Sequence, residues 1–350
     1  MSKYQDRMKK EKPILIVKVG SSVITDDSGN LNISILENIV SQAAQLVKQY
    51  RIILVSSGAV SSGKKWLKKY AKNLTKRKAA AAIGNPLLMN QYSVHFLTHG
   101  YQVAQALLER QHFASRLQFL QLKETIFELW QNDIIPIVNE NDVVSNYELQ
   151  FSDNDELATL IAVSFNANVL LFCTSAGGYK DGNGNVIPFV EDIDGVIRYL
   201  RDDTSAHGTG GMSSKLTFTK LATALGIKVV YCGMQNEHSF IEALKGKSGT
   251  TFKAKSSTLN ERQKWLASGS ITIGSIEIDE GAYKALQQRK SLLLVGVTKI
   301  DGAFSAGEVV QLTKPNGQIV GVAKMRFSAS DLSTKRKNIM AAHADNIVIF

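Results

Sequence analysis

Apolar runs of strand length recur through the first 250 residues and alternate with longer amphipathic stretches. ILIVKV from Ile14, IILVSSG from Ile52, IIPIV from Ile134, VLLFC from Val169 and KVVYC from Lys228 are short and rich in β-branched residues. Continuous runs of this kind predict strands buried on both faces, as in a parallel sheet covered by helices. Helices are predicted between them over residues 33–49, 85–99, 117–131, 155–166 and 216–225. The alternation predicts an α/β fold, a three-layer αβα sandwich around an open, mostly parallel sheet. Several strands run directly into polar, glycine-rich segments, and in such sheets ligands gather at the carboxyl ends of strands.

After Thr251 the pattern changes. A polar stretch, KAKSSTLNERQ, precedes short runs (ITIGSIEI, SLLLVGV, EVVQL, QIVGVA, NIVIF) separated by glycines and by Asn-Gly or Asp-Gly turns. The expected organisation is a basic tail over 1–13, a large domain over 14–255, a linker over 256–264 and a small β-rich domain over 265–350. A length of 350 residues suits that division.

Composition narrows the class. No apolar run approaches the roughly 18 residues that a membrane span requires. The first residues, MSKYQDRMKKEK, lack the apolar centre of a secretory signal, which predicts a cytoplasmic protein with a basic tail. The two cysteines, Cys173 and Cys232, sit in strand-like runs and read as buried thiols, not as a disulfide or zinc framework. The six histidines sit near no carboxylate cluster in the sequence and read as surface or core residues. A net charge of +10 suits anionic small substrates, nucleic acid or an acidic membrane equally well. Its densest part, Lys64, Lys65, Lys68, Lys69, Lys72, Lys76, Arg77 and Lys78, contains no acidic residue and reads either as a solvated helix face or as a polyanion-attracting patch.

Four segments carry candidate chemistry. Lys18-Val19-Gly20-Ser21-Ser22 puts a cation and a donor-rich turn at a strand end, where the backbone can approach a phosphate, although an ordinary strand-end turn has the same look. It has neither the Walker A spacing nor the dinucleotide-binding fingerprint. Ser56-Ser57-Gly58-Ala59-Val60 enters a helix whose free N–H groups suit an anion, or whose serines simply cap it. Asn139-Glu140-Asn141-Asp142 and Asp153-Asn154-Asp155 can converge on one small polar ligand, or can be Asx turns and a helix cap. Gly208-Thr209-Gly210-Gly211-Met212-Ser213-Ser214-Lys215, ahead of a helical run, is the strongest phosphate-binding candidate, against the alternative of a flexible surface loop. A cage of cations and hydroxyl donors is what phosphoryl transfer requires, because its catalysis is mostly positioning and charge stabilisation.

Together, KVGSSVIT, LVSSGAVSSG, IPIVNENDVV, SDNDELATLIA, GTGGMSSK and GTTFKAK resemble the amino-acid kinase family, and within it the branch that phosphorylates the side-chain carboxylate of glutamate. GSIEIDEGAYKAL, SLLLVGV, GAFSAGEVV and QIVGVAK look like the PUA domain attached to many bacterial members of that branch. The resemblance implies that Lys18 and Lys215 grip the phosphates and the transferred group, with Asp155 holding both ammonium groups. It implies that Ser57, Asp142 and Asn154 bind L-glutamate, and that Lys18, Thr174, Ser175, Thr209, Gly210, Gly211, Met212, Ser213, Ser214 and Lys215 line the ATP site. It further implies Mg²⁺ entering with ATP, a place at the first step of proline biosynthesis, feedback by proline, a glutamyl phosphate reductase consuming the acyl phosphate, and a homo-oligomer. Where the family usually has Thr-Asp after this strand, the chain has Thr174-Ser175, which removes a charged acceptor from the nucleotide side. Two alternatives stay open: an acceptor that is aspartate, acetylglutamate, carbamate or a nucleotide, and an RNA-binding protein acting through the PUA-like domain.

Overall fold

The computed structural model describes residues 12–26, 30–68, 70, 73–114, 116–144, 154–197, 212–234, 236–256, 274–304, 306–334 and 338–349. Most of the basic tail (1–13) and the linker (256–264) therefore lie outside the described residues. Two compact units separate at Ser256, with residues 110–119 grouping with the second.

The first unit is built on eight strands: β1 (Ile14–Val19), β2 (Arg51–Ser56), β3 (Val103–Leu108), β4 (Ile135–Glu140), β5 (Val169–Cys173), β6 (Phe189–Val190), β7 (Lys228–Cys232) and β8 (Thr250–Phe252). Their order is β3-β4-β2-β1-β5-β7-β8-β6. All pairings are parallel except β7 with β8. The chain fills one side of β1 first and then crosses to β5 on the other, so the order reverses at β1, and a crevice at the carboxyl ends of β1 and β5 is the natural ligand site. All six side chains of β1 and all five of β5 are buried, as a doubly covered sheet demands.

On one face, Leu15, Val17 and Val19 pack with Leu36, Ile39, Val40, Tyr92 and Phe96. These come from the helices Ile33–Leu46 and Leu74–Leu97. The second of these starts well before residue 85. Asn73 caps it, accepting from the Lys76 N–H at 2.9 Å, and a run of alanines carries it into Pro86 without a break. Pro86 is an interior proline whose missing N–H the long helix tolerates. The basic stretch 64–78 is correspondingly not one helix face: Lys64 ends the helix Ala59–Lys64, turns follow, and Lys76, Arg77 and Lys78 open the next helix.

Those two helices touch through glycine. A Cβ on Gly84 would lie 1.7 Å from Ala59 O, and one on Gly63 would lie 1.9 Å from Ala80 O. Gly58, at φ +103°, makes the turn from β2 into the first helix. This contact holds the helix after Ser57 against the helix that carries Arg77 and Asn85.

The second unit has a five-stranded sheet, β11-β9-β12-β13-β15, and a two-stranded one, β10-β14. The strands are β9 (Gly274–Ile278), β10 (Leu292–Leu293), β11 (Val297–Gly302), β12 (Val309–Thr313), β13 (Ile319–Lys324), β14 (Met340–Ala342) and β15 (Ile347–Ile349). Ile276, Ile278, Val310, Leu312, Ala323 and Ile347 form its core with Leu286 of the helix Glu280–Gln287. SLLLVGV is not one strand: Leu294–Gly296 is a 3₁₀ turn between β10 and β11, with Gly296 packed so closely that a Cβ would meet Ala282 Cβ at 2.5 Å. Among the described residues, no helix is long and apolar enough to cross a membrane.

Gly84→Ala is expected to lower stability by about 1–3 kcal/mol, because backbone oxygen cannot move aside as a side chain would. Gly182, with nothing within 4 Å, is the control: Gly182→Ala should unfold at the wild-type temperature in a thermal melt.

Candidate active site

The strand carrying the sheet's reversal also carries a buried cation. Lys18 is 6% exposed and sits opposite Val55 on β2 and Phe172 on β5, so it needs an anion beside it. Asp155 is that anion: Lys18 Nζ lies 2.5 Å from Asp155 Oδ1, while Lys215 Nζ bonds Oδ2. Asp155 is fully buried in the first turn of the helix Asn154–Ser164, where the helix dipole also favours negative charge. Burial pushes its carboxyl up, but Lys18 and then Lys215 outweigh that and hold it below the usual carboxylate range.

Lys215 lies in the first turn of the helix Met212–Ala224, so the helix begins at Met212 and not after Lys215 as the sequence pattern predicts. One turn further on, the buried Thr219 hydroxyl is 2.6 Å from Tyr231 OH on β7. Burial raises the Tyr231 pKa and keeps the phenol neutral. Gly20, after β1, passes close to the cluster, since a Cβ there would stand 3.6 Å from Lys18 Nζ and 3.6 Å from Cys173 O.

Beside this charged end lies a neutral floor. Asn154 Nδ2 lies 2.9 Å from Ser57 Oγ, 3.0 Å from Asn139 Oδ1 and 3.2 Å from Ser56 O and shares its two N–H groups among these acceptors. Asn139 Oδ1 also accepts from the Glu140 N–H at 2.9 Å, and Asn139 Nδ2 donates to Asn85 Oδ1 at 3.1 Å on the long helix. Ser56 Oγ is 2.9 Å from Tyr92 OH, whose pKa burial pushes up to about 12. Among the described residues, Asn154 Oδ1 is buried without a hydrogen-bond partner. A buried acceptor left so costs about 1–3 kcal/mol, which a ligand N–H would recover.

The third part of the site is Asp142, in the turn after β4. It is buried, and Arg77 Nη2 lies 3.2 Å from its Oδ1. Burial pushes the Asp142 carboxyl above the ordinary range, and Arg77 recovers part of the shift. Thr174 is also buried, with its N–H donating to Cys232 O at 2.8 Å, so it ties β5 to β7; Ser175 next to it is exposed. Cys173 and Cys232 are free, buried neighbours, and burial raises the Cys232 thiol. Thr209, Gly210 and Gly211 lie outside the described residues, as do the side chains of Met212, Ser213 and Ser214.

The sequence matches the model of the amino acid kinase family over residues 13–231. The chain belongs to that family. Residues 274–344 match the PUA domain. The chain is 36% identical over 360 residues to the glutamate 5-kinase of Aquifex aeolicus, covering 96% of this chain and 99% of that protein. It is 34% identical over 340 residues to the glutamate 5-kinase of Kosmotoga olearia, covering 95% and 93% of the two chains. It is 36% identical over 338 residues to glutamate 5-kinase 1 of Bacillus licheniformis, covering 93% and 92%. A carbamate kinase from Giardia shares the fold at a TM-score of 0.50 and 16% identity, covering 70% of this chain and 100% of that one.

The buried cation, Lys18, lies within the matched residues. Of the residues singled out from sequence, Lys18, Asp155 and Lys215 meet directly, and Ser57 and Asn154 are hydrogen-bonded. Asp142 instead pairs with Arg77. Asn85, Asn139, Tyr92 and Arg77 were not assigned from sequence. Asn139 lies inside a motif the sequence marks, whereas Arg77 lies in a basic run that reads either as a solvated helix face or as a polyanion-attracting patch, with no specific partner indicated.

The two buried aspartates should titrate with opposite signs. A carboxyl held low in the fold contributes stability that is present above its unfolded pKa and lost as pH falls through the folded one, so Asp155 steepens acid unfolding below about pH 4. Asp155→Asn should lose about 3 kcal/mol at neutral pH and show a flatter acid limb. A raised carboxyl contributes stability below its unfolded pKa that is lost as pH rises through the folded one. Asp142→Asn should therefore melt at or above the wild-type temperature at pH 7, which urea or thermal unfolding across pH would check.

Proposed function

We propose that this kinase transfers the γ-phosphoryl group of ATP to the side-chain carboxylate of L-glutamate, giving ADP and glutamyl 5-phosphate, at the first step of proline biosynthesis. The observation that carries the reading is the Lys18–Asp155–Lys215 arrangement at the sheet's reversal point. The relatives named glutamate 5-kinase over nearly the whole chain support the choice of acceptor.

The acceptor carboxylate is ionised at neutral pH, with a side-chain pKa near ~4.3, so no general base is required. One of its oxygens attacks the γ-phosphorus, the bond from that phosphorus to the β,γ-bridging oxygen breaks, and ADP carries the electron pair away. The obstacle is repulsion between two anions. Lys18 and Lys215 offset it, and Asp155 keeps both ammonium groups in place without neutralising either fully. Mg²⁺ bound to ATP would supply further neutralisation of the phosphates. Both Asp155 oxygens face lysines, so the charge stabilisation these three residues would supply is cationic.

Ser57, Asn154 and Asp142 would hold glutamate on the amide floor, where the unpartnered Asn154 Oδ1 and the Asp142 carboxylate are acceptors for its ammonium group. The helix start at Met212, with Lys215 one turn in, and the segment Thr174-Ser175 would face ATP. Ser175 offers no charge there. The acyl phosphate product would hydrolyse in water, so the reductase implied by the family resemblance would take it up directly, and proline feedback would act through the glutamate side of the site.

ADP release by the purified chain with MgATP should depend on glutamate, and added hydroxylamine should trap a glutamyl hydroxamate. Turnover that ignores glutamate, or yields no hydroxamate, rejects the reading. Lys18→Ala and Lys215→Ala should each lower kcat by about a hundredfold to a thousandfold with the fold retained. Ser57→Ala and Asn154→Ala should raise KM for glutamate more than KM for MgATP; equal losses for both ligands would move these residues out of the acceptor pocket.

A further inference from the structure

The Arg77–Asp142 pair is poorly explained as a stability device. Arg77 keeps 47% of its side chain exposed while Asp142 keeps 7%, and their single contact is 3.2 Å long. An ion pair of that kind contributes little, and the buried carboxylate costs stability on its own. A ligand that hydrogen-bonds the buried carboxylate would offset that cost.

The placement is deliberate on the Arg77 side. Asn73 fixes where the helix Leu74–Leu97 begins, accepting from the Lys76 N–H at 2.9 Å, while the Arg77 N–H donates to Asn73 O at 3.0 Å. Two turns along the same helix, Asn85 reaches Asn139. One rigid element therefore touches both ends of the segment Asn139–Asp142, with Asn85 on the neutral floor and Arg77 beyond it. The glycine contact at Gly63 and Gly84 locks that helix to the one that follows Ser57.

Three groups keep hydrogen-bonding capacity that a ligand could use. Among the described residues, Asp142 has a partner at Oδ1 alone, which leaves Oδ2 to accept. Asn154 Oδ1 is a second acceptor without a partner. The Arg77 guanidinium, half exposed, keeps N–H donors beyond the one directed at Asp142. Two acceptors and a planar cationic fork complement an ammonium group and a carboxylate on the same carbon. A ligand with an ammonium group alone would meet an aspartate whose charge Arg77 already offsets.

We propose that Arg77 binds the α-carboxylate of the acceptor, so that Arg77 and Asp142 together recognise the free zwitterionic head of an amino acid. This rests on the proposed acceptor and goes beyond it by naming the residue that rejects acceptors with a blocked α-carboxyl. The lysine end takes the carboxylate to be phosphorylated, Asp142 and the open Asn154 Oδ1 take the ammonium group, and Arg77 reads the second carboxylate.

The test compares L-glutamate with its α-carboxamide, which keeps the side-chain carboxylate and the ammonium group, in the wild-type chain and in Arg77→Gln and Arg77→Lys. The wild type should prefer glutamate by about tenfold to a hundredfold in kcat/KM. Arg77→Gln should lose most of that preference, with the loss in KM for glutamate rather than in kcat or in KM for MgATP, and Arg77→Lys should restore part of it. A preference kept intact in Arg77→Gln, or a loss that falls equally on both acceptors, overturns the role of Arg77 alone. No glutamate turnover by the wild type overturns this role and the proposed acceptor together.

Discussion

A carboxylate taken wholly out of water must be matched by cations, and in the first unit that condition falls on Asp155. Its two oxygens are shared between Lys18, from the central strand, and Lys215, from the start of a helix across the sheet's reversal point. Neither lysine could be buried to this extent without it, and it could not stay ionised without them. The packing of β1 between β2 and β5, with the helix Asn154–Ser164 over the sheet, fixes all three at once. A pair of ammonium groups held by one shared anion keeps a net positive charge, which is what an incoming phosphate and an incoming carboxylate both require.

The same neighbourhood holds a second buried carboxylate with the opposite energetic character. Asp155 is held low by two cations, whereas Asp142 is pushed up by burial against one partly exposed arginine. The first consolidates the fold and the second strains it mildly. Between them run Ser57, Asn85, Asn139 and Asn154, whose amides and hydroxyl form one chain of hydrogen bonds except at the open Asn154 Oδ1. Charged groups thus sit at two ends of a neutral floor. That graded polarity suits a dicarboxylate with an ammonium group better than it suits a neutral or singly charged acceptor.

Much of this was legible in the chain because the signals were local. β1 and β5 are uninterrupted apolar runs, and Lys18 stands out as the lone charge in such a run. β3 was missed because VAQALL is partly buried at the sheet edge and carries a polar residue in its middle, so it shows neither a continuous nor an alternating pattern. The long helix was started too late because the true cap, Asn73, lies among lysines. What no local pattern reveals is who meets whom. Lys215 and Asp155 are 60 positions apart, and their pairing followed from resemblance to a family, not from spacing. Arg77 and Asp142, 65 positions apart, have no such guide, because a dense basic run shows its charge but not which lysine or arginine meets a specific partner.

The most direct test of the central role of Asp155 is a double-mutant cycle of Asp155→Asn with Lys215→Met, read as the rate of acyl phosphate formation from MgATP and glutamate. If Asp155 acts by holding the lysines, its substitution should lower the rate strongly in the wild-type background and by much less once Lys215 is gone, so that the two effects fall well short of additive. Fully additive losses would contradict that role and would place Asp155 in contact with the reacting groups themselves.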